Sequence, residues 1–502
     1  MLLSELLKGL KGSLIAGDAE VTGLAYDSRE VRPGFAFVAI RGFKLDGHDF
    51  AGDAVQRGAR AIVAEKAVPV PPGTGLALVP NTRKALSHMA AAFYGYPSHE
   101  LLVVGITGTK GKTTVCHLVK SVLDAGGTRA GLIGTVHNIV GEEVRPVTHT
   151  TPESLDLQRL CREMAEKGCR AVTMEVSSHA LSLERVADIE FDVAVLTNIG
   201  RDHLDFHGTI ENYLSAKAKL FEMVSERAKA KQLGVAPFSV LNRDEPYFEY
   251  FYRHAGREVL TYGFSPESDV RAEDVVCDAT GTEFTLCFSG KKERVRINLP
   301  GRFNVSNALA AAAVGFGLSM DIEKVLWSLS QVTRVPGRID VVPSDLGFTV
   351  WVDYAHTPES LKNVLSTARE VAKGRVIAVF GCGGDRDKGK RPIMGKVAAE
   401  ISDVVIITND NPRSEKEDEI LDQIEEGIVE VIGRSKDVVY RRIKDRGEAI
   451  REAIKLARPG DIVVLAGKGH ETYQVFKDKT VHFDDREEAK KALLELGRNR
   501  GS

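Results

Sequence analysis

The chain has 502 residues, of which 43% are hydrophobic and 27% charged, with a formal net charge of -3 at pH 7. One hydrophobic core closes at roughly 100 to 200 residues, so about three domains are expected, and the near balance of charge provides no basic surplus of the kind that binds nucleic acid. Six cysteines without a C-x-x-C pair argue against a disulfide framework or zinc cluster and suit a reducing cytoplasm.

From the amino end, MLLSELLKGLKGSL places Leu2, Leu3, Leu6, Leu7 and Leu10 at helical intervals, while Ser4, Glu5 and Lys8 interrupt any signal-peptide core. A surface helix is predicted there. Strand-like runs FAFVAI, ARAIVAE and LALVP then alternate with helical segments, ending in a helix over 82–93 before GYPS. From Leu101 the runs LLVVGIT, CRAVTMEV and FDVAVLTNI are unbroken enough to be parallel strands covered on both faces. Between Val259 and Leu299 the rhythm changes to two-residue alternation, which predicts a small antiparallel insert turning at SGKKE. The longest apolar run, around Ala308 to Leu318, is far short of the ~20 residues a membrane helix needs, so no membrane span is expected. After TRVPGR, the strands FTVWVDYA, RVIAVFGCGG, DVVIITND and DIVVLAGKG alternate with helical segments such as 447–457, a Rossmann-like pattern. The fold class is therefore α/β with three domains: a small α/β domain over 1–98, a central, mostly parallel P-loop-type sheet with the insert over 99–333, and a Rossmann-like domain over 334–502.

Sheets of this kind bind ligands at the carboxyl ends of their strands, and the chemistry-bearing motifs cluster there. GITGTKGKTT joins a strand to a helix start. Its glycines let backbone N–H groups turn inward around an anion, Lys112 reaches terminal phosphates and a threonine hydroxyl can ligate magnesium. The spacing departs from G-x-x-x-x-G-K-[ST], because Ile106 stands at the first glycine position. Residues Gly108, Thr109, Lys110, Gly111, Lys112, Thr113 and Thr114 form the predicted nucleotide loop. MEVSSHALSLER ends a strand on Glu175, a carboxylate placed to hold magnesium. A serine–histidine hydrolase reading fails because no G-x-S-x-G elbow is present. TNIGRDHLDFHG concentrates Asp202, His203, Asp205 and His207; without a second His/Cys group it supports magnesium more simply than a transition metal.

TGTKGKTT resembles the nucleotide loop of the Mur ligases, ATP-dependent enzymes that add amino acids to the peptide of peptidoglycan precursors, and the resemblance extends over essentially the whole chain. It implies that ATP and Mg2+ are used, that the first domain holds a UDP-linked muramoyl peptide and that the last holds the incoming amino acid. It implies a catalytic set of Lys112, Glu175, His203 and Lys217, with Thr113, Glu175, His203 and Lys217 at the metal. The match singles out Lys217 over Lys219 in YLSAKAKLF as the family's carbamylated lysine; a lysine near a metal that loses its proton can capture carbon dioxide and offer an anionic oxygen. LPGRFNVSNALAAAA carries the G-x-x-N-x-x-N pair, Asn304 and Asn307, for the nucleotide, with Asn304 at a plausible N-cap. The resemblance implies that Arg338, Asp353 and His356 reach ATP from the third domain. Ser28, Thr150, Thr151, Ser177 and Arg185 are implied contacts of UDP-N-acetylmuramoyl-L-alanyl-D-glutamate.

For the amino acid, Arg391, Asp410, Asn411, Pro412, Arg413, Gly467 and Glu471 are the implied contacts. Two guanidiniums can grip carboxylates, and Asn411 with Glu471 can hold an ammonium, which suits an amino acid with a second zwitterionic end. DNPR resembles the string of family members that add meso-2,6-diaminopimelate; read as structure alone it is a turn. The expected activity is thus an ADP-forming amide ligase working through an acyl phosphate, in the cytoplasm, as a monomer without nucleic acid. Alternatives are a lysine-adding member of the same family, folylpolyglutamate synthase, and a nucleotide-binding switch without turnover.

Overall fold

The structure is a computed structural model that describes residues 1–147, 149–226, 231, 234–256, 258–433 and 438–500. Two compact units emerge, Met1–Arg271 with Ser306–Ser328 and Ala272–Val305 with Leu329–Ser502.

The first unit contains two sheets. Near the amino end, Gly23–Ala25, Phe35–Val38, Ala61–Ala64 and Gly75–Leu78 run parallel, and Leu14–Ala16 joins Gly75–Leu78 antiparallel. The opening leucines form a single turn, Leu3–Leu6, instead of a longer surface helix. Leu3, Leu6 and Leu7 are buried in the core of this sheet, and Gly9, at φ 93, leaves helical space before Leu10 can extend it. Thr82–Phe93 is helical as its periodicity predicts, and Asn81 caps it by accepting from the N–H groups of Arg83 and Lys84.

The second sheet of this unit orders its parallel strands Val259–Gly263, Phe238–Asn242, Val193–Leu196, Leu102–Thr107, Ala171–Glu175 and Ala130–Ile133, followed by the antiparallel pair Asn138–Val140 and Glu143–Arg145. All six residues of Leu102–Thr107 are buried, as a strand covered on both faces must be. At Gly105 the ring of Phe191 lies 2.7 Å from where a Cβ would stand, so this position admits no side chain. The expected insert differs in extent. Val259–Gly263 is parallel to Phe238–Asn242 and to Val270–Asp278, and an antiparallel hairpin joins Gly281–Phe288 to Lys291–Ile297 in the second unit. Its turn, Ser289 and Gly290, has positive φ at both residues, the geometry a tight hairpin of right-twisted strands requires.

The second unit also holds a six-stranded sheet, ordered Asp340–Val342, Thr349–Asp353, Ile462–Ala466, Val376–Phe380, Val404–Ile407 and Val439–Arg442 and parallel except at its first strand. Helices on both faces bury it in two clusters of aliphatic side chains. All six cysteines are free. Among the described residues no helix is long and apolar enough to cross a membrane.

Candidate active site

Sheet order decides what meets at the glycine loop. Leu102–Thr107 lies between Ala171–Glu175 and Val193–Leu196, in register Ile106 with Glu175 and Thr107 with Leu196, so the three carboxyl ends arrive together. The loop then enters the helix Lys112–Ala125, whose first turn turns the positive end of the helix dipole toward it. Gly108, at φ 145, and Gly111, at φ 84, take conformations closed to other residues. A Cβ on Gly108 would stand 1.9 Å from Thr197 Oγ1, and one on Gly111 would stand 2.5 Å from Asn307 Oδ1.

Neighbouring strand tips hold the loop open. Asn198 accepts the Lys110 N–H through Oδ1 at 2.9 Å and donates Nδ2 to the Lys110 carbonyl at 2.9 Å. The Thr197 hydroxyl donates to the same carbonyl at 2.6 Å. Thr109 Oγ1 accepts from the Gly200 N–H at 2.8 Å and shares a 2.9 Å hydrogen bond with the Tyr213 hydroxyl, whose pKa burial pushes up to about 12. Lys112 folds back over the loop, donating to the carbonyls of Gly108 and Thr109 at 2.9 and 3.0 Å. Thr113 and Thr114 are buried in the first turn.

Glu175 is buried beside this loop. Its Oε1 accepts from the Thr113 hydroxyl at 3.0 Å and the Thr135 N–H at 2.8 Å, and Oε2 accepts from the Thr135 hydroxyl at 3.0 Å. Lys217, on the helix Ile210–Ser225, is buried with Nζ 2.8 Å from the Gly108 carbonyl and 4.6 Å from the Tyr213 ring. Burial first, then the charge of Lys112, pushes its ammonium pKa well below the usual lysine range. His203 sits at φ 53 just before the turn Leu204–His207, against the ring of His179, and its imidazole is half exposed. Among the described residues no group of three or more His, Cys, Asp or Glu is arranged to hold a metal; the expected set combines two such side chains with a hydroxyl and a lysine.

Below Glu175 a second group gathers. Thr151 donates to the Glu175 carbonyl at 2.8 Å and lies 3.3 Å from Ser177 Oγ; the Thr150 and Thr135 hydroxyls lie 3.1 Å apart. Arg185 donates to the Thr151 carbonyl at 3.0 Å and to Glu153 at 2.8 Å. Ser177 caps the short helix Ser178–Ser182. Ser28 opens the single turn Ser28–Glu30, two residues after Tyr26, whose hydroxyl donates to Asp156 at 2.7 Å.

Asn307 lies in the first unit against Gly111, whereas Asn304 belongs to the second. Asn304 is not an N-cap: the helix Arg302–Gly317 starts before it, and its Nδ2 donates to the Pro300 carbonyl at 2.8 Å.

In the second unit the carboxyl ends of Thr349–Asp353, Val376–Phe380, Val404–Ile407 and Ile462–Ala466 carry the remaining residues. Asp353 is buried and accepts the Ile339 N–H at 2.8 Å, and burial raises its pKa; Arg338 lies over the Tyr354 ring, 5.9 Å from the centroid. His356 donates its Nδ1–H to the Tyr354 carbonyl at 2.7 Å, and burial lowers its pKa. Asp410 is pressed against Gly467, where a Cβ would stand 2.7 Å from its Oδ2 at a φ of 115. Pro412 precedes Arg413, which takes the left-handed φ of 52, donates its N–H to the Val475 carbonyl at 3.0 Å and reaches the Gly384 carbonyl at 2.7 Å. Arg391 is fully buried and grips Glu415 with two hydrogen bonds of 2.9 Å, adding Gln423 at 2.8 Å. That guanidinium holds the Glu415 carboxyl at a pKa of about 2. Asn411 Nδ2 donates to Glu471 at 2.9 Å.

Sequence reading missed Thr135, Asn198, Glu153 and Glu415 as partners of these residues. Each lies 24 to 88 positions from the residue it serves, and only strand order brings them together.

Comparison with known proteins adds a family. Residues 20–94 match the Mur ligase family, catalytic domain; residues 106–315 match the Mur ligase middle domain; residues 337–469 match the Mur ligase, glutamate ligase domain. The chain is 44% identical over 500 residues to UDP-N-acetylmuramoyl-L-alanyl-D-glutamate--2,6-diaminopimelate ligase 1 of Clostridium acetobutylicum, covering 99% of this chain and 100% of that one. It is 45% identical over 499 residues to the Geobacillus kaustophilus ligase of the same activity, covering 99% and 100%. A solved structure of a UDP-N-acetylmuramoyl-L-alanyl-D-glutamate--2,6-diaminopimelate ligase aligns with a TM-score of 0.70 at 32% identity, covering 95% of each chain.

Proposed function

The chain belongs to the Mur ligase family, and on that premise we propose that it adds meso-2,6-diaminopimelate to UDP-N-acetylmuramoyl-L-alanyl-D-glutamate, with ATP converted to ADP and phosphate. The observation that carries the activity is the loop 108–113 seated between two strand tips, with Lys112, Glu175 and buried Lys217 converging on it. We propose a division into domains over 1–98, 99–333 and 334–502; three successive family matches, over 20–94, 106–315 and 337–469, support three domains.

In the proposed reaction an oxygen of the D-glutamyl side-chain carboxylate attacks the γ-phosphorus, the bond to the β,γ-bridging oxygen breaks and ADP departs. Lys112 and the loop N–H groups offset charge growing on the transferred phosphoryl group. The amine of diaminopimelate then attacks the acyl-phosphate carbon, loses a proton and expels phosphate, leaving the amide. Asn304, Asn307, Arg338 and Asp353 bind the nucleotide in this reading; Ser28, Thr150, Thr151, Ser177 and Arg185 bind the muramoyl peptide.

Oxygen-rich Glu175 and Thr113, with His203 and Lys217, suit magnesium, a hard cation that prefers carboxylate and hydroxyl oxygen. When bound it neutralises phosphate charge. Lys217 contributes through its own chemistry: burial disfavours its ammonium form, and the neutral amine form adds to carbon dioxide with loss of a proton to give a carbamate.

Arg413, Asn411 and Glu471 supply a cation, an amide and an anion for the distant zwitterionic end of diaminopimelate, whereas the bare ammonium tail of lysine gives Arg413 no carboxylate. We propose that the enzyme works as a monomer in the cytoplasm, where ATP is at hand.

Labelling tests the acyl phosphate. With 18O in the D-glutamyl side-chain carboxylate, released phosphate carries one labelled oxygen; unlabelled phosphate in a productive turnover contradicts the mechanism.

A further inference from the structure

The proposed reaction assigns no step to a buried cation in the second unit. Lys468 is fully buried, and an ammonium removed from water persists only where acceptors replace its hydration. Its Nζ donates to Asn411 Oδ1 at 3.2 Å and to Glu471 Oε2 at 3.3 Å, and it lies 5.7 Å from the centroid of the Tyr473 ring.

These contacts determine which way the Asn411 amide faces. Besides Lys468, its Oδ1 receives the Val475 N–H at 3.0 Å. An ammonium and a backbone N–H can only donate, so the atom they share is the carbonyl oxygen and the amide nitrogen is left pointing elsewhere. That nitrogen donates to Glu471 Oε2 at 2.9 Å. One carboxylate oxygen of Glu471 therefore takes two protein donors, Lys468 and Asn411, and the other is left for an incoming cation. Gly467, immediately before Lys468, lies against Asp410, immediately before Asn411.

We infer that Lys468 is a positioning residue for amino-acid selection: it holds the Asn411 amide and the Glu471 carboxylate in the one arrangement that presents a carboxylate oxygen to the ammonium of the amino-acid substrate. The inference rests on the reading of this pocket as the diaminopimelate site. Lys468 acts through Asn411 and Glu471, and its loss leaves the amide free to turn and the carboxylate free to swing.

Steady-state kinetics of the full chain test this. Lys468→Met keeps chain length and apolar packing but removes the charge and its donors; about a tenfold rise in KM for diaminopimelate is expected, one charge-assisted hydrogen-bond network's worth, with KM for ATP and for the muramoyl dipeptide within about twofold of wild type. Lys468→Arg, which keeps charge and donors, stays closer to wild type than the Met variant. In the cycle with Asn411→Ala, the double variant raises KM by less than the product of the two single effects, because both act on one network. A Met variant that moves all three KM values together, an Arg variant as impaired as the Met variant, or strictly multiplicative effects would each overturn the inference. Should Lys468→Met fail to fold, Lys468→Gln, which also removes the charge, takes its place in each of these comparisons. Wild-type protein that releases no ADP on addition of diaminopimelate overturns the site reading itself, whereas a productive wild type with an unaltered Met variant overturns only the role of Lys468.

Discussion

Lys217 looks ordinary in the sequence, one lysine of two on a helix, and burial changes its chemistry. Beside Lys112 and out of water, its charged form is disfavoured. If it works as a carbamate, turnover in carbon-dioxide-depleted buffer drops and recovers with added bicarbonate, while a Lys217→Met variant stays slow with or without it; equal rates in both buffers exclude the role. Lys112 is more direct. Lys112→Ala removes the cation proposed to offset phosphate charge, and kcat is expected to fall by about 10²-fold or more with the melting temperature little changed; an ADP-release assay reads this. His88 was legible in sequence only as a helix residue, yet its Nδ1 is 3.2 Å from Asp188 Oδ1 and its Nε2 is 2.9 Å from the Lys8 carbonyl. Both nitrogens facing acceptors favours the imidazolium, and the Asp188 hydrogen bond raises its pKa. A raised folded-state pKa stabilises most below the unfolded value of roughly 6.5, and the gain is lost as pH climbs through the higher folded value. The unfolding free-energy gap between wild type and His88→Gln is therefore widest near pH 6, about 1 kcal/mol, and narrows toward pH 9; a gap that widens with pH contradicts this.

Elements were read from sequence where periodicity and punctuation agreed. Thr82–Phe93 and Lys112–Ala125 appear where their apolar spacing and glycine stops place them, and strand interiors such as Val193–Leu196 fall inside the predicted runs. Two departures have physical causes. The opening leucines have helical spacing, but four of them serve a strand-packed core around a glycine stop, so one turn suffices. Val259–Gly263 alternates like an exposed strand but pairs in parallel with its neighbour; alternation reports faces and is silent on strand direction. The glycine loop was the most legible site element because its φ values admit few alternatives. Gly108→Ala would bring a methyl into Thr197 at a strained φ, costing about 1–3 kcal/mol and weakening ATP binding; an alanine variant with unchanged melting temperature and ATP affinity contradicts the packing described for the loop.

Across the whole molecule, the sequence announced chemistry at strand ends but not which ends would be neighbours. The order that sets Leu102–Thr107 between Ala171–Glu175 and Val193–Leu196 brings Glu175, Thr197 and Asn198 to one loop, and that order is a tertiary choice. In the second unit the same holds for Arg391, whose partner Glu415 belongs to the run that supplies Asn411 and Arg413. The most direct measurement of the account as a whole is ADP release from ATP and UDP-N-acetylmuramoyl-L-alanyl-D-glutamate with meso-diaminopimelate or L-lysine as acceptor. Diaminopimelate-dependent release that exceeds the lysine rate at least tenfold is the predicted result; release that needs neither amino acid, or proceeds as well with lysine, contradicts it.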